Sequence, residues 1–448
     1  VSNETPWDEL EEHLERGDAK SVAALLAGWS ESDRTHNLSH LSSPDLSTLL
    51  DLLEPEAAAE LIEYLPFSQA ADAIEGVKPE AAAEILEELA SDDRIDLLSR
   101  VDERDREAIL DAAAPSTADE ARALLEYPPD TAGGLMHTEL VSIRSQQTAA
   151  QAIDEIRRSA DRYARFSIQY LYAVDDGGRL EGVVPLRALF LATGGTSVSE
   201  LMIGNPVAFQ VEDSLETLYE VFEERGFLGA PVVDGEGTLL GVVERSAVDD
   251  ANLEIAESDH MKSLGIASGE ELRSMPPFER SRRRLAWLSI NIVLNLLGAS
   301  VIALYEETLQ AAIALAVFLP IISDMSGCSG NQAVAVSLRE LSLGVVRPGE
   351  LLYVLGKEAF VGVLNGLALG LLIAGVAVAW KGDPLLGGVV GFALGLNTLL
   401  AVSIGGTVPL LIKRFGWDPA LASSPILTTL TDVCGFFLTL SAASLVLV

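Results

Sequence analysis

The stretch Leu427-Thr-Thr-Leu-Thr-Asp-Val-Cys-Gly-Phe-Phe437 carries a single carboxylate, Asp432, in a long apolar run, and no basic residue follows Lys413-Arg414 before Val448. A lone charge at bilayer depth costs about 3 kcal/mol, so it is normally placed against water, a cation or a partner. Ion transport across a membrane is the first expectation; a protonated carboxyl packed between helices is the alternative.

Working outward from Asp432, the composition splits the 448 residues in two. Only 6 basic and 9 acidic residues lie after Arg284, against 24 basic and 58 acidic up to and including it, a net of −34 on the first part. An acidic soluble part therefore precedes a nearly neutral apolar one. Five segments of the apolar part reach the roughly 20 residues that cross a bilayer: Leu285 to Leu304, Ala311 to Leu338, Ala359 to Trp380, Leu385 to Leu411 and Ala420 to Val448. The second contains Pro320-Ile-Ile-Ser-Asp-Met-Ser-Gly-Cys-Ser-Gly-Asn-Gln332, too polar for lipid, and is expected to break near Ser323 or to line a cavity.

Flanking charge gives an orientation. Arg280, Arg282, Arg283 and Arg284, then Arg339, Arg347 and Lys357, then Lys413 and Arg414 flank alternate ends of the spans, whereas the opposite loops hold only Glu306, Glu307, Lys381 and Asp383. The positive-inside rule puts the acidic part in the cytoplasm and the C-terminus outside. The first apolar stretch, Val22 to Leu26, is short and lacks a basic start, so no signal peptide is expected.

Within the acidic part, Glu54 to Leu65, Pro66 to Val77, Lys78 to Leu89, Ala90 to Val101 and Asp102 to Ala113 repeat with a period of twelve. Each unit opens near a Pro, Ser or Asp and closes on an apolar residue, the pattern of short stacked helices. After Tyr127-Pro-Pro129 an α/β pattern runs twice, with turns at Asp175-Asp-Gly-Gly178 and Asp234-Gly-Glu-Gly237 between β-branched strands. Two such units resemble a pair of CBS domains, which are regulatory modules.

The order of parts and four motifs carry a further resemblance. These are Arg284-Leu-Ala-Trp-Leu-Ser-Ile-Asn291; Ala314-Leu-Ala-Val-Phe-Leu-Pro320 with Ser329-Gly-Asn-Gln332; Lys357-Glu-Ala-Phe-Val-Gly-Val-Leu-Asn-Gly366; and Asp418-Pro-Ala-Leu-Ala-Ser-Ser424 with Thr428 to Phe436. Together they resemble the MgtE family of Mg²⁺ channels and transporters. The implied architecture is a multidomain membrane protein. It has an all-α superhelical N-domain (1–126), an α/β tandem CBS pair (127–195 and 196–246), a connecting helix (247–270) and a five-helix α transmembrane domain (271–448).

The resemblance implies an inner-membrane homodimer with its pore at the subunit interface, Asp432 as central ligand of a hydrated Mg²⁺, and closure by cytosolic Mg²⁺. Mg²⁺ sheds water reluctantly and suits oxygen ligands that hold it through its waters. Candidate lining residues are Thr428, Asn331 and Asn397, the alternatives being a threonine bonded to its own helix backbone and asparagines joining helices. Asp324 departs from the family's glycine-rich run. It is read either as an extra cation site or as the cap of a helix restart. Cys328 and Cys434 would suit softer metals or simple packing.

For the regulatory ion, Asp250, Glu254 and Glu257 share one face of the connecting helix, and Asp92, Asp93, Glu212, Asp213, Glu216, Asp259 and Asp418 are candidate partners; each is alternatively a solvated surface acid. ATP is not expected, because the positions where CBS pairs grip a ribose hold Pro185, Ala188, Glu244 and Ala247. An enzyme is not expected either: there is no phosphate loop, and the five histidines are scattered. The acidic part would repel nucleic acid. Alternatives to a Mg²⁺ channel are a carrier or ion-coupled exchanger of Co²⁺ or another divalent cation using Asp324, and a non-conducting membrane cation sensor.

Overall fold

The computed structural model describes residues 6–163, 166, 168–266 and 271–447. The end of the expected connecting segment, 267–270, and the last residue of the fifth span, Val448, lie outside them. The chain forms two compact units, Val1–Ile255 with Leu272–Met275 and Ala256–Glu271 with Pro276–Val448.

In the first unit the period of twelve becomes helices Pro55–Ile62, Phe67–Glu75, Pro79–Glu88, Ser91–Arg100 and Glu103–Ala112. Pro55 and Pro79 sit in the first turn, where a missing N–H costs nothing. Alternate helices pack on each other, so contacts recur about 26 residues apart. Ser47 Oγ donates to the Ala73 carbonyl at 2.7 Å, Gln69 Nε2 to the Leu41 carbonyl at 3.1 Å, and the Asp102 and Ala114 amides donate to Glu75 and Glu87 at 2.7 and 2.8 Å. Acids of one helix thus cap the start of another. The apolar core runs on without interruption into the second CBS-like unit, through Phe209, Leu218, Phe222 and Val248. Each such fully buried leucine or phenylalanine contributes about 1.5–3 kcal/mol.

The two α/β units build two small sheets. One has strands β1 (Ser142–Arg144), β2 (Tyr170–Val174), β3 (Leu180–Pro185) and β4 (Ile203–Gly204) in sequence order; the other has β5 (Phe209–Gln210), β6 (Gly229–Val233) and β7 (Leu239–Glu244). In each sheet the first pair is parallel and the next antiparallel. Gly178 and Gly237 close the hairpins at φ +83°, a conformation that excludes most L side chains. The edges are exchanged. β4, which follows the first unit, pairs with β3, while His137, which precedes it, bridges Val242 of β7 through two 2.9 Å backbone hydrogen bonds.

The helix Arg245–Ser263 opens in the first unit, and its last turns belong to the second. Five helices of the second unit are long and apolar enough to cross a membrane: Arg280–Leu304, Ile313–Ser342, Leu351–Lys381, Pro384–Arg414 and Ser423–Val446. The fourth is central and packs on the second, third and fifth. Glycine makes this possible, because a Cβ on Gly366 would lie 2.4 Å from the Gly395 carbonyl oxygen, and one on Gly405 2.3 Å from that of Gly330.

The second span corrects one expectation. The irregular part is Ala312 to Phe318, built around a 3₁₀ segment at Ile313–Val317, and the helix Leu319–Ser342 then runs unbroken through the polar motif. Pro320 lies in the first turn of that helix, and Ser326, Ser329 and Gly330 are buried against neighbouring helices instead of meeting lipid. Asp324 therefore caps no helix restart.

Candidate ion path and carboxylate clusters

Three spans meet at Asp432. It lies within the fifth-span helix Pro419–Val446, half-buried. Ser323 of the second span donates its hydroxyl hydrogen bond to Asp432 Oδ1. Gly298 of the first span faces it, since an added Cβ there would stand 3.3 Å from Asp432 Cβ and 3.5 Å from the Phe436 ring. Among the described residues no cation pairs with Asp432.

The other candidates of the apolar part distribute around this point. Thr428 lies one turn before Asp432 and donates to the Ser424 carbonyl at 3.0 Å. Ser424 Oγ in turn donates to Asn331 Oδ1 at 3.2 Å, joining the fifth span to the second. Asn397 is fully buried and donates Nδ2 to the Thr431 carbonyl at 3.0 Å, while its Oδ1 has no partner. Asp324, Cys328 and Asn331 are all exposed, at helical positions i, i+4 and i+7 of one face, with Gln332 beside them. An exposed polar row on a membrane span is not a lipid-facing surface; it suits a partner or water.

In the first unit, Asp92 and Asp93 open the helix Ser91–Arg100 and gather with Asp96, Glu63 and Glu139. Burial, then the charges of Asp92, Glu63, Asp96 and Glu139, push Asp93 up to about 7. Burial raises Asp96 to about 6 against the opposing effect of Arg100, and it raises Asp92 as well. Glu139 is held in place by the Ser91 amide and hydroxyl at 3.1 and 2.6 Å. Glu254 of the connecting helix pairs with Arg100 and so joins the edge of this cluster. Asp96, Glu63 and Glu139 were not singled out from the sequence. The i, i+4 spacing of Asp92 and Asp96 was a usable signal; the distant Glu139 offered none.

The remaining regulatory candidates are not drawn into it. Asp213 accepts the Gln210 amide at 2.8 Å in a tight turn, and Glu212 and Glu216 are exposed beside it. Asp250 and Glu257 are exposed on the connecting helix. Asp259 and Asp418 lie close together in the second unit, where Lys262 Nζ stands 3.1 Å from Asp418 and 3.9 Å from Asp259. Burial, then the Asp418 charge, raises Asp259.

A small cleft of about 20 Å³ opens between the two CBS-like units, lined by His137, Glu139, Tyr170, Tyr172, Leu228 and Glu244 among others. The His137 ring lies 3.9 Å from Glu139 and 3.8 Å from Glu244.

Comparison with known proteins accounts for the whole succession. Residues 319–442 match the family model of a divalent cation transporter, residues 8–130 that of the MgtE intracellular N domain, and residues 132–194 and 198–253 that of the CBS domain. The magnesium transporter MgtE of Thermus thermophilus is 34% identical over 443 residues, 98% of each chain. That of Bacillus subtilis is 29% identical over 413 residues, covering 92% of this chain and 88% of the relative. The crystal structure of the cytosolic domain of the Mg²⁺ channel MgtE in complex with ATP superposes with a TM-score of 0.50 at 33% identity, over 54% of this chain and 98% of that one. With cytoplasmic-type modules and five apolar helices in the same order, this chain belongs to the MgtE family of magnesium transporters.

Proposed function

We propose that the chain forms a Mg²⁺-selective path across the inner membrane, with its N-terminal part in the cytoplasm and its C-terminus outside. Two copies line the path at their interface, and cytosolic Mg²⁺ bound among the acidic groups closes it. The observation that carries this reading is Asp432, a carboxylate within a membrane span, held by a hydroxyl and paired with no cation among the described residues. Thr428, Asn331 and Asp324 complete the lining, with Asn397 buried and bonded to the Thr431 carbonyl of the helix that carries Asp432. The exposed row of Asp324, Cys328 and Asn331 favours a second copy as the covering surface. It also supports a second reading, in which softer divalent cations pass by way of Cys328.

The Asp92, Asp93 and Asp96 group supports ion-dependent closure, because carboxylates that repel one another draw together when a divalent cation sits between them. Nucleotide is left out of this reading. Glu139 and Glu244 line the cavity between the CBS units and would repel phosphates, and Pro185, Ala188 and Ala247 offer no ribose contact.

The test is Mg²⁺ uptake into proteoliposomes with Mg²⁺ varied on the face of the acidic domains. Uptake should fall as that Mg²⁺ rises and vanish in Asp432→Ala. Flat traces insensitive to the substitution, from monodisperse protein, would leave the sensor reading, and dependence on a Na⁺ or proton gradient would identify an exchanger.

A further inference from the structure

The geometry points to Ser323 as the residue that sets how Asp432 presents itself to the ion, and hence as a determinant of Mg²⁺ over Ca²⁺. The inference rests on the reading of Asp432 as the ion's ligand. Hydroxyls inside helices usually return their proton to the carbonyl four residues earlier, and several in this unit do. Ser289 donates to Leu285, Thr428 to Ser424, Thr429 to Pro425 and Thr439 to Gly435, at 2.6 to 3.0 Å. Ser323 does not; its hydroxyl crosses to the fifth span and engages Asp432 Oδ1. Ser323 follows two isoleucines, and the helix at that point holds buried Ile322. Nothing in local sequence therefore explains the departure except the carboxylate opposite.

The consequence is a carboxylate with two unlike oxygens. Oδ1 is occupied by a charge-assisted hydrogen bond, the stronger kind, and no donor among the described residues reaches Oδ2. Gly298, where an added Cβ would stand 3.3 Å from Asp432 Cβ, puts no side chain on the first-span side, so the Ser323 hydroxyl is the contact that orients the carboxylate. A carboxylate fixed in this way offers one oxygen to an incoming cation. Mg²⁺ needs near-octahedral geometry with single oxygens and keeps its waters, whereas Ca²⁺ accepts a carboxylate through both oxygens. Engaging Oδ1 costs Mg²⁺ nothing and removes the two-oxygen mode from Ca²⁺. Ser323 is thus a positioning residue that acts through Asp432.

The experiment compares wild type, Ser323→Ala, Ser323→Thr and Asp432→Ala in proteoliposomes, reading half-saturating Mg²⁺, maximal flux and the Ca²⁺ to Mg²⁺ flux ratio. The freed carboxylate of Ser323→Ala loses its preorganisation. Half-saturating Mg²⁺ should rise about tenfold, the size of one hydrogen bond to a charged group. The Ca²⁺ to Mg²⁺ ratio should rise by a similar factor, with maximal Mg²⁺ flux within about twofold of wild type. Ser323→Thr, which keeps the hydroxyl, should restore both values. If Ser323→Ala matches wild type in both while Asp432→Ala is silent, the inference is overturned and the Asp432 reading stands. If Ser323→Thr fails as alanine does, packing and not the hydroxyl is responsible, and the inference is again overturned. If Asp432→Ala conducts normally, the ligand reading itself falls and takes the inference with it.

Discussion

Lys262, in the last turn of the connecting helix, lies 3.1 Å from Asp418, at the start of the fifth-span helix, and so joins two segments 156 residues apart in the chain. Both side chains are partly exposed, so the pair is worth no more than about 1 kcal/mol, a factor of about five in an equilibrium. If this contact helps the helix hold the path shut, Lys262→Met should raise the cytoplasmic Mg²⁺ needed for half-closure by about two- to fivefold. Asp418→Asn should do the same, and the double variant should add little. Flux titrations of the three proteins measure this, and full additivity would show that the two residues act separately.

Asp93 gives a pH dependence with a definite sign. Its carboxyl is raised from 3.8 to about 7, so the folded protein binds the proton more tightly than the unfolded chain does. Its burial costs least below about pH 4 and most above about pH 7, so stability falls as pH rises through that window. In medium free of divalent cations, amide protection in the Ser91–Arg100 helix, taken relative to the intrinsic exchange rate at each pH, should be greater at pH 5.5 than at pH 8. Asp93→Asn should reduce that difference and add about 1–2 kcal/mol of protection at pH 8, after allowance for solvent screening. Mg²⁺ added at pH 8 should act in the same direction on the unsubstituted chain.

Contact between the third and fourth spans depends on the absence of side chains. Gly366→Leu would drive atoms into the Gly395 carbonyl, already 2.4 Å from a bare Cβ, and should cost about 3 kcal/mol or prevent assembly. Gly375→Ala, on the same helix with nothing within 4 Å, should be neutral. Thermal loss of the monodisperse species in detergent distinguishes them, and equal melting of the two variants would contradict the packing argument.

Cys328 is exposed beside Asp324 and Asn331, whereas Cys434 is more enclosed. A water-soluble methanethiosulfonate reagent should therefore label Cys328 first and reduce Mg²⁺ flux. Cys328→Ser should abolish the block, and Mg²⁺ in the path should slow it. Rapid labelling with undiminished flux would place this row away from the ion's route.

Where the sequence was legible, the forces were local. Pro55 and Pro79 begin helices because of the ring each carries, and the turns ending at Gly178 and Gly237 need the left-handed conformation those residues supply. Apolar length alone marks the five long helices. Reading failed where a distant partner decides the outcome. The polar run around Ser323 looked like a break because nothing nearby shows that Ser326 and Ser329 will be buried between helices. Ser323 lies 109 residues from Asp432, and Asp93 lies in the helical domain whereas Glu139 lies beyond it, at the start of the first CBS-like unit. The carboxylate row of Asp250, Glu254 and Glu257 was visible as a helix face, but only Glu254 has an ion-pair partner among the described residues, and no periodicity points to Arg100.

The exchange of strands between the two CBS-like units bears on how they come apart. With β4 seated beside β3 and His137 clasped to Val242, neither half can loosen without stripping an edge from the other's sheet. A bare edge is a template for aggregation, so the pair is expected to melt in one step and to be poorly soluble if cut between its halves. A cation felt at one half would then be felt at both, because the two share a single cooperative transition.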